Sequence, residues 1–357
     1  MRRDIRHALA VFAAVAGASL TGDALATSQR TFVASTGLDT NACSLSAPCR
    51  SFAAAITKTS TNGEVIVLDS AGYGPVTIAK SISLIAPPGV YAGVTVFSSD
   101  GITVNAPGII VVLRGLSING QGGQNGINLL QAARLRIENC VISSMTGDGI
   151  LHAANGAEVV VLDTIIRDNL GNGLDILADT SIVLDHVRSE HNLFDGISIL
   201  SLSNTVAATI SDSLFVFNGR HGISVATSVP SSTPRVMVDR SVLADNVGSG
   251  FVLNGANAHS VGTLTRNSIH RNGGDGVSVL GGFSAETIVS VYENTISGNA
   301  NGIRADGSNL AIVEVSGNTM SAEALAYKQA NSASFRSYGN NVGVYYTSGT
   351  IYTVSGK

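Results

Sequence analysis

The residues best placed to do chemistry stand just ahead of a recurring glycine. Asp195-Gly196 and His221-Gly222 fall one repeat apart, with Arg220, Asp245 and Arg271 in the same turn region. An imidazole beside a carboxylate can move a proton near neutral pH, and guanidinium groups can hold an acidic sugar. These five residues are therefore the candidate catalytic set, for acid/base work on a bound uronate. Solvated turns carry the same polar types for ordinary reasons, and that reading competes with the catalytic one.

What must position them is a repeat. A glycine followed by a bulky apolar residue returns at Gly101, Gly126, Gly149, Gly173, Gly196, Gly222, Gly250, Gly276 and Gly302, at intervals of 23 to 28 residues. A period in that range marks a solenoid whose stacked coils share one core. Within Gly149 to Asn172, Ile150 opens a β run, Asn155-Gly156 turns, and Glu158 to Leu162 is a second run. Asp163-Thr164 is a corner, Ile165-Ile166 a third run, and Asp168-Asn169 closes the coil. Three short β runs per period predict a three-sided coil, and the period is too short for paired helices.

Two polar columns recur. One precedes a Ser or Thr (Asp163-Thr164, Asp212-Ser213, Asn267-Ser268, Asn294-Thr295, Asn318-Thr319), and the other is a late Asn at 169, 192, 218, 246, 272 and 299. Asn tolerates left-handed backbone and its amide can bond to the coils on either side, so both columns read as structural.

The ends depart from the period. Arg2, Arg3 and Arg6 precede an apolar run and Ala24-Leu25-Ala26, the pattern of an export signal over residues 1–26 that is cleaved near Ala26. Residues 27–63 read as an N-terminal cap with a short helix after Ser51, 64–320 as the coils, and 321–357 as a C-terminal cap that begins with a helix over 321–333. The Tyr338, Tyr345, Tyr346 and Tyr352 region reads as a closing β segment. Cys43 and Cys49 bracket a short loop and are expected to be bonded in an oxidising compartment, while Cys140 reads as a small buried residue. No later stretch is long and apolar enough to span a bilayer. The net charge of −4 without a basic stripe argues against a nucleic-acid partner.

The Gly-Ile start, the Val-x-Val run, the Asn/Asp-Ser/Thr corner and the late Asn resemble right-handed parallel β-helix repeats of the pectin-lyase-like superfold. The segment from Cys43 through Cys49-Arg50-Ser51-Phe52 to Gly63-Glu64-Val65-Ile66-Val67-Leu68 looks like bacterial secreted β-helix proteins of that group. The resemblance implies an all-β, three-sided right-handed parallel β-helix of about ten coils. It also implies a site, if one exists, on the strand that follows the repeat glycine. Outward residues there are Asn128, Leu151, Asp175, Ser198, Ser224, Val252, Ser278 and Arg304. Asp175 and Arg304 lie five coils, roughly 24 Å, apart, so this column by itself supplies no carboxylate pair.

Arg220-His221-Gly222 resembles the His-Gly element of polygalacturonase-like enzymes, and Asn301-Gly302-Ile303-Arg304 faintly resembles their Arg-containing element. The paired-Asp element is absent and only Asp195 stands near its place. Asn272-Gly273-Gly274-Asp275-Gly276 resembles one unit of a calcium-binding glycine repeat, but one unit is not an array, so no cofactor or metal is expected. The coil after Gly222 carries an insertion, Pro230-Ser231-Ser232-Thr233-Pro234, and insertions on one face often serve binding. The resulting expectation is a secreted monomer that acts as a binding or scaffold protein along a polysaccharide. The rivals are a lyase, hydrolase or epimerase of acidic glycans, and a surface adhesin.

Overall fold

The structure, a computed structural model, describes residues 27–202, 205–227, 229–255, 258–282, 284–343 and 346–354. The expected export signal and Tyr345 lie outside the described residues. Three sheets of 14, 12 and 12 strands run the length of the molecule. Each full coil contributes one strand to each, the long sheet has one further strand at either end, and successive coils pair in parallel, as Ile150–His152 does with Leu174–Ile176 and Glu158–Leu162 with residues 181–185. The strands after the repeat glycine form the front sheet. The second run of each coil builds the 14-stranded long sheet, and the third builds a sheet of mostly three-residue strands, the short sheet.

Alternation decides what is inside. In Ile150–His152 the outer two side chains are buried and Leu151 faces out. Inward Val, Ile, Leu and Phe stack coil upon coil into one continuous hydrophobic core, from Phe52 near one end to Phe335 near the other. The repeat glycine is required by close approach. A Cβ on Gly196 would sit 2.6 Å from the carbonyl oxygen of Gly222, and one on Gly222 would sit 2.7 Å from that of Gly250.

The corner between the long and short sheets turns on left-handed residues, among them Asp163, His186, Asp212, Arg240 and Arg266, with φ between 47° and 54°. A non-glycine residue there costs about 1 kcal/mol, which the bonds of the next column offset. That column corrects the expected register by one residue. Thr164 and Ser213 stack with Ser241, Asn267, Asn294 and Asn318, whereas Asp163 and Asp212 stack in the left-handed column beside it.

The caps also differ from expectation. Phe52–Lys58 is the expected helix, with the Ser51 hydroxyl accepting from the Ala54 N–H, and it buries Phe52, Ala55 and Ile56. Ser28–Val33, placed in the cap, is already a strand of the long sheet. At the other end the expected helix over 321–333 is replaced by the strand Leu325–Asn331, which pairs in parallel with Asn301–Gly307. Helix formers dominate Ala322 to Ala330, but the ladder and the burial of Tyr327 against Phe335, ring centroids 5.6 Å apart, outweigh that propensity. Parallel pairing continues to Ile351–Thr353. Cys43 and Cys49 are disulfide-bonded and Cys140 is buried and free.

Candidate functional site

The turn from the short sheet to the front sheet holds all five candidate residues, and its first feature is a pair of hydrogen-bond ladders. In the late-Asn column each amide donates to the next: Asn169 Nδ2 to Asn192 Oδ1 at 2.8 Å, then on through Asn218, Asn246, Asn272 and Asn299 at 2.9–3.0 Å. Each Oδ1 also accepts the backbone N–H one coil back, for example Asn192 N–H to Asn218 Oδ1 at 3.2 Å. These buried amides are satisfied by one another, which is the structural role expected for them.

The residue before each repeat glycine forms a second ladder. The N–H of Asn172 donates to Asp148 Oδ1 at 2.6 Å, that of Asp195 to Asn172 Oδ1 at 3.0 Å, that of His221 to Asp195 Oδ1 at 2.9 Å and that of Ser249 to His221 Nδ1 at 2.9 Å. Asp195 and His221 therefore do meet, but through the main chain of His221. The ring uses Nδ1 as an acceptor, which leaves its proton on Nε2. Arg220 reaches the other Asp195 oxygen at 3.6 Å. Burial raises the Asp195 pKa and lowers that of His221.

Asp245 and Arg271 belong to the same turn but to a different column. Both sit in the left-handed column that precedes the Asn ladder, with φ of 56° and 52°, and they bond each other at 2.8 and 2.7 Å. The bond from Arg271 holds the Asp245 carboxyl below its usual range. Asp275 and Asn272, from the glycine-rich unit, are likewise ladder members. Among the described residues no group of three or more His, Cys, Asp or Glu side chains is arranged to hold a metal ion.

What the sequence reading missed is a trio. Asp175, facing out from the front sheet, is pushed up to about 6, first by burial and then by the charges of Asp148 and Asp195 on the coils to either side; Ser198 works against this by hydrogen-bonding its carboxyl. Burial raises Asp148 as well. The outward column alone leaves Asp175 without a carboxyl neighbour, since Leu151 and Ser198 flank it. The ladder column lies beside the outward column of the front sheet, and that lateral adjacency puts Asp175 within electrostatic reach of Asp148 and Asp195.

Along the same turn runs an apolar edge. Leu170 is 56 % exposed, Leu193 54 %, Phe194 44 %, Phe217 50 % and Val247 72 %. Leu170, Leu193, Gly219, Val247 and Gly273 occupy one column, each donating its N–H to a carbonyl one coil back. The slot at Gly219 is obligatory, because a Cβ there would strike the Leu193 carbonyl oxygen. The His191 ring stacks on Phe217 at 5.1 Å and 15°.

Residues 100–262 match a family model described as the right handed beta helix region. No curated protein matches the sequence. Pectate lyase Pel9A is a similar solved structure: 14% identity, 89% of this chain and 80% of that chain covered, TM-score 0.55. The A-module of the Azotobacter vinelandii mannuronan C-5 epimerase AlgE4 shares 15% identity over 83% of this chain and 91% of its own, TM-score 0.60. The Dettilon tailspike protein gp208 shares 11% over 81% and 66%, TM-score 0.50. At such identities the likeness is one of fold. The repeat, the three parallel sheets and these matches together make the chain a right-handed parallel β-helix of the pectin-lyase-like fold.

Proposed function

We propose that this chain is an exported glycan-binding scaffold that lies along a polysaccharide with the front sheet and its adjoining turn. The observation that carries the reading is the exposed apolar edge. Five large apolar side chains from four successive coils are exposed along this turn, in three neighbouring columns, beside a front sheet whose outward residues include Ser198 and Ser224. Sugar rings present C–H faces to such side chains and hydroxyls to such serines. Export is supported by the Cys43–Cys49 disulfide and by the signal pattern of residues 1–26. Among the described residues no helix is long and apolar enough to cross a membrane. The solved neighbours include a pectate lyase and a mannuronan epimerase by name, which favours a polysaccharide over other partners.

The test is affinity electrophoresis of the protein from Thr27 onward in gels containing neutral, acidic and amino polysaccharides. Retardation by at least one, abolished in Leu193→Ser/Phe194→Ser, is the expected result. Free migration in every gel refutes the reading.

A second reading is favoured by Asp175. Asp175 faces out from the front sheet, and a carboxyl raised to about 6 there can donate a proton to the glycosidic oxygen of a chain lying along that sheet. Release of reducing ends from any bound glycan, lost in Asp175→Asn with binding retained, would move the chain to the glycoside hydrolases. Binding without turnover leaves the scaffold reading in place.

A further inference from the structure

We infer that the glycan held by the apolar edge is uncharged, and that polyuronates are rejected. This rests on the glycan-binding reading and names the chemical class of its ligand. Two independent features of the turn lead to it.

The first is how the edge's cations are used. A uronate is recognised by a guanidinium free to take a carboxylate in a bidentate pair. The arginines along this turn already face carboxylates of their own chain. Arg271 makes a two-bond pair with Asp245, Arg220 lies 3.6 Å from Asp195, and Arg167 lies 3.8 Å from Asp168. Recruiting any of them to a ligand would release an acid beside it. Asp148, Asp175 and Asp195 on the inner side of the edge add further negative charge, and their upward shifts record how poorly a charge is solvated there. An incoming uronate therefore meets like charge at short range. Among the described residues no cluster of acids is arranged to hold a cation that would bridge two carboxylates.

The second is shape. In the column Leu193, Gly219, Val247 an obligatory glycine leaves a side-chain gap, or notch, between two exposed apolar side chains, and exposed Phe194 and Phe217 stand one and two residues away along the chain. All backbone N–H groups of this column are spent on the preceding coil, so the notch offers side chains and carbonyls and no anion-binding nest. An apolar slot without free donors suits the C–H face of a neutral ring.

The experiment measures, by titration calorimetry on the folded protein from Thr27 onward, binding of three probes: neutral β-glucan oligosaccharides, oligogalacturonates and chitosan oligosaccharides. The expected result is neutral binding at least about tenfold tighter than either charged probe. It should be unchanged by about 0.5 M salt and should weaken about fivefold in Phe194→Ser. Val247→Ser, at a side chain that is 72 % exposed, serves as a second variant that leaves the core intact and carries the same expectation. Oligogalacturonate binding as tight as or tighter than neutral binding overturns the inference and leaves glycan binding standing. Preference for chitosan overturns it as well, since recognition would then lie with the carboxylates. Binding of none of the three defeats both this inference and the reading it rests on.

Discussion

His152 offers a test of how dry the solenoid interior is. Its ring is fully buried in the core column between Leu129 and Ile176, its Nδ1 accepts the Ala154 N–H at 3.3 Å, and its Nε2 has no partner. Burial drives its pKa down to about 4 from 6.5. The folded state therefore resists protonation that the unfolded chain accepts. Stability is full above about pH 6.5 and falls as the pH drops toward 4, by about 3 kcal/mol for a shift of this size. Asp175 works with the opposite sign. Its folded pKa of about 6 lies above 3.8, so it destabilises above pH 6 and that penalty, also about 3 kcal/mol, is relieved as the pH falls to 4. The two nearly cancel in the wild type, so the wild-type profile alone cannot reveal either. Taking the difference between His152→Leu and wild type removes Asp175 and every other shared group. Equilibrium denaturation followed by far-UV circular dichroism at pH 7, 5.5 and 4.5 should show the variant gaining on wild type by about 2–3 kcal/mol across that range. A difference that stays flat to within about 1 kcal/mol would mean that the ring ionises in place, and the dry-core argument would be wrong.

Three further outcomes follow from the ladders and caps. Asn218→Leu should cost about 2–4 kcal/mol in the same denaturation assay, because it orphans the Asn192 N–H and removes an amide donor from Asn246 Oδ1; loss below 1 kcal/mol would show that the ladder is dispensable. Replacing Cys43 and Cys49 by Ser opens a loop closed over six residues and should lower stability by about 2 kcal/mol, with hydrogen exchange rising first in the Phe52–Lys58 helix. Gly219→Ala should destabilise the chain even though the position is only half-buried, since the added methyl meets the Leu193 carbonyl oxygen; an unchanged melting temperature would contradict that close approach.

The acid trio and the apolar edge occupy one turn, which has a consequence for interpreting variants. Asp195 is both a member of the trio and a rung of the ladder, accepting from His221 N–H. Asp195→Asn keeps an acceptor there, whereas Asp195→Ala does not, so only the former separates chemistry from folding. Asp175 bonds through its side chain to Ser198 and is not a ladder rung, which makes Asp175→Asn the cleaner probe of proton transfer.

The sequence by itself determined the solenoid. Its signals are local: a glycine wherever backbone approaches backbone, three β runs per period, and Asn where a buried amide must bond above and below. Each coil repeats the same packing problem, so the solution is written into each period. It also marked Cys43 and Cys49, the Phe52 helix and the ladder Asn residues. Tertiary structure alone decided what lies sideways. Residues 321–333 read as helix because propensity is local, and became strand because the preceding coil offered a ladder to extend. The Asp163 and Asp212 column slid by one residue because corner register is set by which side chain reaches the next coil. Asp175 joined Asp148 and Asp195, while Asp245 parted from them to bond Arg271, because neighbours across columns depend on turn geometry that a period cannot encode.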